Sequence, residues 1–244
     1  MIRVTEIWRY PIKACGREML DTVDLSTGTT LPGDRAWAVA HEAAKLTGGW
    51  SPCGNFARAA KCPALQAISA QTTGPDSYRL GHPERPDLSV TLPGEAGELL
   101  AWLAPLWPDN RPPLAQVVPS PKRGMTDSDT ATISIMNHAS LRAVSRKAGL
   151  TVHPERCRGN VWVDGAAPWE EITWVGKSLT LGPVTVKITE PITRCLALHA
   201  NPQTGQRDAD VLRSLNEDWG HQDFGVLAEI TSGGTLSRGD AVQP

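Results

Sequence analysis

Apolar residues recur at every second position along much of the chain, and glycine or proline closes most of these runs. That spacing predicts short strands with one buried face. Val4, Ile7 and Trp8 lie before the break at Pro11. A second strand is expected over Asp21–Leu25, before the turn at Gly28. A third follows Pro32-Gly33, with Arg35, Trp37 and Val39 on one side and Ala36 and Ala38 on the other. Further strands are expected over Leu65–Ala70 and Leu88–Leu92. In the second half they are expected at Ile133–Met136, at the NVWVDG run closing in Asp164-Gly165, and on both sides of Gly182-Pro183, where Leu179 and Leu181 face Val184, Val186 and Ile188. The tail from Phe224 to Val242 returns to strand and turn.

The pattern changes period in three places. Leu99, Leu100 and Leu103 are helically spaced in Glu95–Ala104, with Glu95 and Glu98 near the start, where the helix dipole favours acids, and Pro105 as a stop. Asn137 is an N-cap candidate for a helix carrying Leu141 and Val144 and ending at Gly149. Asp208 or Asp210 can cap a short helix with Val211, Leu212 and Leu215. Residues 48–64 read as a long loop with one turn of helix, and residues 108–129, rich in proline and ending in TDSD, as a linker candidate. The fold class is therefore mainly β with a few helices, in two β-barrel-like subdomains: residues 1–110, a linker over 111–129, and residues 130–244.

Composition narrows the functional classes. With 20% charged residues and a net charge of -2, the chain lacks the basic footprint of a nucleic-acid binder. No apolar run approaches the roughly 20 residues that span a bilayer, and the first residues are too polar for an export signal, so a soluble cytoplasmic protein with reduced thiols is expected. The five cysteines are widely spaced and form no CxxC pair, which disfavours a zinc ribbon or a thioredoxin-like motif. There is no GxGxxG, no Walker loop, no HExxH and no GxSxG. Nine tryptophans stand against two tyrosines and two phenylalanines, and their expected place is in core and cleft positions.

One segment stands out chemically. Glu190-Pro191-Ile192-Thr193-Arg194-Cys195 follows an alternating strand, so Cys195 is expected just past a strand end, where binding residues are often placed. A neighbouring cation such as Arg194 favours thiolate, the form that binds metals and attacks electrophiles. Taken alone, an Arg-Cys pair is equally compatible with a small buried apolar residue. Lys13 in Pro11–Gly16, Arg35 after Gly33-Asp34, and Arg156, Arg158 and Asn160 ahead of VWVDG also sit at loop–strand junctions. Such cations suit a phosphate or another anion, and equally an ordinary surface. Cys15, Cys53, Cys62 and Cys157 read as bystanders.

In their order and spacing, the PIK turn, GDRAW, R-x-N before VWVDG, PWEEITW, ITRC and HANPQTG resemble the MOSC proteins, among them the mitochondrial amidoxime-reducing components and bacterial relatives with an N-terminal MOSC-associated β-barrel domain. The resemblance runs from Ile2 to the end and is weakest between residues 41 and 130. It implies a molybdenum–pyranopterin cofactor (Mo-molybdopterin) between two mainly β subdomains, with Cys195 as metal ligand and catalytic residue. It further implies that Thr193 and Arg194 hold the cofactor, that Lys13 and Arg35 meet the pterin and its phosphate, and that Arg158 and Asn160 line the site. The activity implied is reduction of small N-hydroxylated compounds, with electrons from a separate donor, ferredoxin or cytochrome b5-like with its reductase, and with neither nucleic acid nor membrane as partner. The alternative is a cofactor or sulfur carrier, or a sulfur transferase using Cys195. Two departures stand out. Ala14 replaces the usual Ser after the Lys, removing a hydroxyl from the site, and LTGGWSPCGNFARAAKCP (residues 46–63) is longer than the family's segment there. The chain is read as having neither a C-terminal ferredoxin module nor a membrane anchor.

Overall fold

The alternating apolar side chains become strand pairs in the computed structural model, which describes residues 1–121 and 123–244. Residue 122, inside the expected linker, lies outside the described residues. In chain order the elements are β1 (Ile2–Arg9), β2 (Glu18–Leu20), β3 (Thr22–Leu25), β4 (Trp37–His41), β5 (Ser69–Gly74), β6 (Ser77–His82), β7 (Arg85–Thr91), α1 (Ala96–Leu103), β8 (Leu114–Pro119), β9 (Ile133–Asn137), α2 (His138–Ala148), β10 (Val161–Asp164), β11 (Ser178–Leu181), β12 (Val184–Thr193), α3 (Val211–Trp219), β13 (Asp223–Ser232), β14 (Gly234–Ser237) and β15 (Ala241–Gln243).

The main sheet runs β10-β9-β13-β12-β11-β15-β1-β2, and β1 also pairs with β10, so the ring closes with β2 outside it. Closure leaves no open edge in the ring. The register puts apolar partners on the inner face: Leu179 opposite Val186, Leu181 opposite Val184, Ile135 opposite Val226 and Val4 opposite Val163. These branched side chains fill a barrel of this size, which is a packed core and not a pore. A bulge between Val4 and Glu6 bends β1 at the closure. The parallel pair β9 and β10 needs a crossover, which α2 provides. Asn137 caps α2 by accepting from the backbone N–H of Ala139, and Gly149 ends it in the left-handed region. On the outer face, Trp162, Met136 and Phe224 pack with Leu141 and Val144 of α2 and Leu215 of α3.

A second core lies under β4–β8 and the β5-β6-β7 meander, with α1 packed against it through Leu99, Trp102 and Leu103. The chain does not fold strictly half by half: β1 closes the ring of the second half, and β3 pairs with β14. Side chains of each part then reach the backbone of the other. Arg17 donates to Pro202, Gln66 to Glu155 and Arg156, and Arg207 to Ala60.

Four expectations change. Of the expected strand Leu65–Ala70 only Ser69 and Ala70 are strand, at the start of β5; Pro63 opens a 3-10 turn over Pro63–Ala67 in which Leu65, Gln66 and Ala67 are all buried, without alternation. Strand β6 was not anticipated. The expected linker carries β8, which pairs with β4 and ends at Pro119, where a missing N–H interrupts nothing. Arg35 lies in a left-handed turn ahead of β4 rather than on it. Five of the nine tryptophans are core residues, and none lines the cleft.

Glu171, from PWEEITW, is fully buried. Its Oε2 accepts from Asn137 Nδ2 at 2.8 Å and Ser140 Oγ at 2.9 Å, while Oε1 has no partner. Burial raises its carboxyl above the ordinary range, against those two hydrogen bonds. A raised native value means that the stabilising contribution is complete below the unfolded value and is lost as pH climbs through the native one. Glu171→Gln keeps the two acceptor bonds and removes the titration. Its stability relative to the parent should therefore improve from pH 5 to pH 8 in urea unfolding; a difference that does not change with pH contradicts this account.

Candidate functional site

Between the two parts lies a cavity of about 350 Å³. The turn after β1 brings Lys13 and Ala14, the turn before β4 brings Arg35, and the loop between β4 and β5 brings Cys53, Ala57 and Arg58. From the second half come Asp127, Arg156, Arg158 and Asn160, and the run after β12 supplies Thr193, Arg194 and Cys195. All seven residues singled out in the sequence line this one cavity. Six cations among its lining residues face a single carboxylate, Asp127.

Backbone conformation concentrates here. Of the five non-glycine residues with positive φ among the described residues, three line the cavity: Ala14 at 62°, Arg35 at 50° and Arg158 at 49°. Each left-handed residue costs about 1–3 kcal/mol, a cost that surrounding contacts must offset. For Arg35 the offset is visible. Its backbone N–H donates to the carbonyl of Tyr10, and its guanidinium donates to the Asp34 carboxylate and to the carbonyl of Arg158 at 3.1 Å. Asp34 in turn accepts from the Tyr10 N–H at 2.8 Å. The Tyr10 ring has Arg35 at 5.0 Å and Arg158 at 4.3 Å from its centroid, a cation–π arrangement that carries two like charges on one aromatic.

The cations differ in how far they are already committed. Arg194 donates to the carbonyls of Phe224 and Cys157 and lies 3.1 Å from Met136 Sδ, so its guanidinium turns into the wall rather than onto the Cys195 sulfur. Two glycines make room for Met136: a Cβ at Gly159 would meet its Cγ at 2.2 Å, and one at Gly225 its Sδ, so neither position accepts a side chain. Arg156 grips the carbonyls of Leu198 and His199 and the Asp208 carboxylate, fixing the turn that follows Cys195. Arg158 makes one side-chain bond, to the carbonyl of Gly16, and its Nη1 is buried without a partner. Burial, with Arg35 adding to it, pushes Arg158 down to about 10. Arg58 leaves its Nε buried and unpartnered. Lys13 is 4% exposed, and burial pulls its ammonium below the ordinary lysine range against the pull of Asp127.

Asn160 and Thr193 line the cavity with their polar atoms engaged. Asn160 accepts from Ser134 and donates to Trp8, and Thr193 donates to Asp223 at 2.6 Å. Cys195 is exposed to the cleft, whereas Cys15, Cys62 and Cys157 are buried. Burial raises the thiols of Cys15, to about 12, and Cys157, to about 11. Cys53 is no bystander in position: it lines the cavity beside Arg58. Sequence reasoning passed over Cys53, Arg58 and Asp127. The unusual loop 46–63 signalled the first two, and Asp127 lay hidden in the polar TDSD run.

Family comparison bears on this geometry. A family model for the MOSC domain matches residues 122–243, and one for the MOSC N-terminal beta barrel domain matches residues 1–103. The chain belongs to the MOSC domain family. Among curated relatives, the molybdenum cofactor sulfurase of Anopheles gambiae is 28% identical over 120 residues, 44% of this chain and 15% of that protein. Molybdenum cofactor sulfurase 2 of Culex quinquefasciatus is 28% identical over 117 residues, 43% and 15% of the two chains. This chain thus spans about a seventh of the relatives it matches. Among solved structures, the YUAD protein from Bacillus subtilis aligns over 99% of this chain and 94% of its own at 12% identity and a TM-score of 0.47. YiiM from Geobacillus stearothermophilus aligns over 45% and 52% at 15% identity and a TM-score of 0.36. Among the described residues no helix is long and apolar enough to cross a membrane.

Access and burial set an order of thiol reactivity. Brief alkylation with iodoacetamide at pH 8, read by peptide mass spectrometry, should label Cys195 first and leave Cys15 and Cys157 unmodified until the protein unfolds. Early labelling of Cys157 would contradict the packing described.

Proposed function

We propose that the cleft binds a molybdenum–pyranopterin cofactor with Cys195 Sγ as the protein's ligand to the metal, and that the loaded protein reduces N-hydroxylated compounds. The observation that carries this reading is one exposed thiol in a cavity whose lining holds six cations and a single carboxylate. Family membership and relatives named for the molybdenum cofactor support a role connected with that cofactor.

The residues present fit such a group. The unpartnered nitrogens of Arg158 and Arg58 call for an acceptor, as a phosphate would be, and buried donors without one are rare. Lys13 and Arg35 would meet that phosphate from the first half, and Arg158 from the second. Arg194, Asn160 and Thr193 spend their bonds on the protein and would shape the pocket wall. Among the described residues no three His, Cys, Asp or Glu side chains are placed to hold a metal ion by themselves, so Cys195 would complete a ligand set that the cofactor brings. When bound, the group supplies a metal that accepts an oxygen atom and cycles between two oxidation states. The net reaction breaks an N–O bond and forms an N–H bond and water, using two electrons and two protons. The electrons would come from a separate donor, ferredoxin or cytochrome b5-like with its reductase, in a cytoplasmic setting that keeps thiols reduced.

A second reading, sulfur transfer through a persulfide on Cys195, is favoured by the names of the curated relatives.

The test is expression in a cofactor-competent host with molybdate, beside Cys195→Ala. Near-stoichiometric molybdenum in the parent and little in the variant is expected, with reduction of an N-hydroxylated base by a dye donor. Fully metallated protein without turnover on a panel of such compounds would sink the reductase reading, and added sulfur on Cys195 in the mass spectrum would establish the other.

A further inference from the structure

Asp127 is the sole carboxylate among the described residues lining the cavity. Its side chain is 75% exposed, open to the cleft, yet it lies 2.5 Å from the nearly buried Nζ of Lys13. The same ammonium donates to the carbonyl of Met125 at 2.9 Å, so one charge holds both ends of a short turn. Although the Asp127 side chain is open to the cleft, partial desolvation by the cleft walls alone would raise its carboxyl; Lys13, with Arg35 and Arg58, outweighs it and holds the group below the ordinary carboxylate range. A negative group thus already shares the cavity with cations from three separate segments, Lys13 in contact with it and Arg35 and Arg58 lining the same space. From Arg123 to Thr132 the chain forms neither helix nor strand. Trp50 braces this stretch: its indole N–H donates to the carbonyl of Thr126 at 3.0 Å, and Arg123 lies over its ring.

We propose that Lys13, Arg35 and Arg58 form a seat for a dianionic phosphate group, and that Asp127 is the chain's own occupant of that seat, displaced when the phosphate enters. This rests on the phosphate reading of Lys13 and Arg35 above and adds Arg58 and Asp127 to it. The exchange has a physical direction. A phosphate monoester carries nearly two charges and three strong acceptor oxygens, against one charge on the carboxylate, and Arg58 has a buried N–H still without an acceptor. The resident carboxylate is tethered, so its effective concentration is high. Monoanions such as acetate therefore gain too little to displace it, and the seat selects for dianions.

The test uses the full chain expressed in a host that makes no pyranopterin, titrated calorimetrically with inorganic phosphate and with acetate. The parent should bind phosphate and not acetate, and phosphate should shift the Trp50 indole N–H resonance as the Thr126 contact loosens. Asp127→Asn, a near-isosteric change on an exposed side chain, should bind phosphate at least about tenfold more tightly. Asp129→Asn, which removes the same charge outside the cavity, should not. Arg58→Gln added to Asp127→Asn should reverse most of the gain. Unchanged or weaker binding in Asp127→Asn, or an equal gain in Asp129→Asn, overturns the displacement. A parent chain that binds no phosphate and shows no Trp50 shift overturns the seat itself. Molybdenum loading is measured separately, so either failure is distinguishable from failure of the functional reading.

Discussion

Burying several guanidinium and ammonium groups around one cavity is the constraint on which the rest of this molecule turns. Charges of one sign taken from water are costly unless negative groups or carbonyl oxygens meet them. Here much of the cost is met by the protein itself. Arg194 and Arg156 spend their donors on carbonyls and on Asp208, Arg35 on Asp34, and Lys13 on Met125 and Asp127. What is left over, on Arg158, Arg58 and the Nε of Arg156, lies along the cavity into which the thiol of Cys195 opens. The surplus donors and the exposed thiol therefore belong to one cavity.

The barrel explains how those groups are held. Because β1 closes the ring, the turn that follows it carries Lys13 and Ala14 to the rim beside the loop entering β10, which carries Arg158 and Asn160. The bonds between Asn160 and Ser134 tie that loop to β9. Strand β12 ends two residues before Cys195, and Arg156 fixes the turn beyond. Met136, admitted by Gly159 and Gly225, contacts Arg194 from behind the wall. Lys13, Arg158, Asn160 and Cys195 thus lie within a few residues of a strand, and contacts such as these carry the strain at Ala14, Arg35 and Arg158.

Local signals were legible in the chain. The Asn137 cap and Gly149 stop define α2 because both act through their own neighbouring backbone. The Gly182-Pro183 hairpin reads directly from alternation. Non-local facts were not legible: nothing in Ile2–Arg9 says that it pairs with β10 and β15, and nothing in the proline-rich stretch announces that β8 pairs with β4. At the site, the cations at loop–strand junctions were readable because such junctions converge on a barrel rim. Arg58 and Asp127 were not, since each lies in irregular chain whose course only the tertiary fold decides. That the Arg194 hydrogen bonds go to the carbonyls of Phe224 and Cys157 was not legible either, since both acceptors are distant in sequence.

The central claim is that Cys195 gives its sulfur to a molybdenum held in this cleft. X-ray absorption at the molybdenum edge of the loaded protein, compared with Cys195→Ser, tests it most directly. The account predicts a molybdenum shell with one sulfur fewer in the variant. An identical sulfur shell in the two proteins would contradict it.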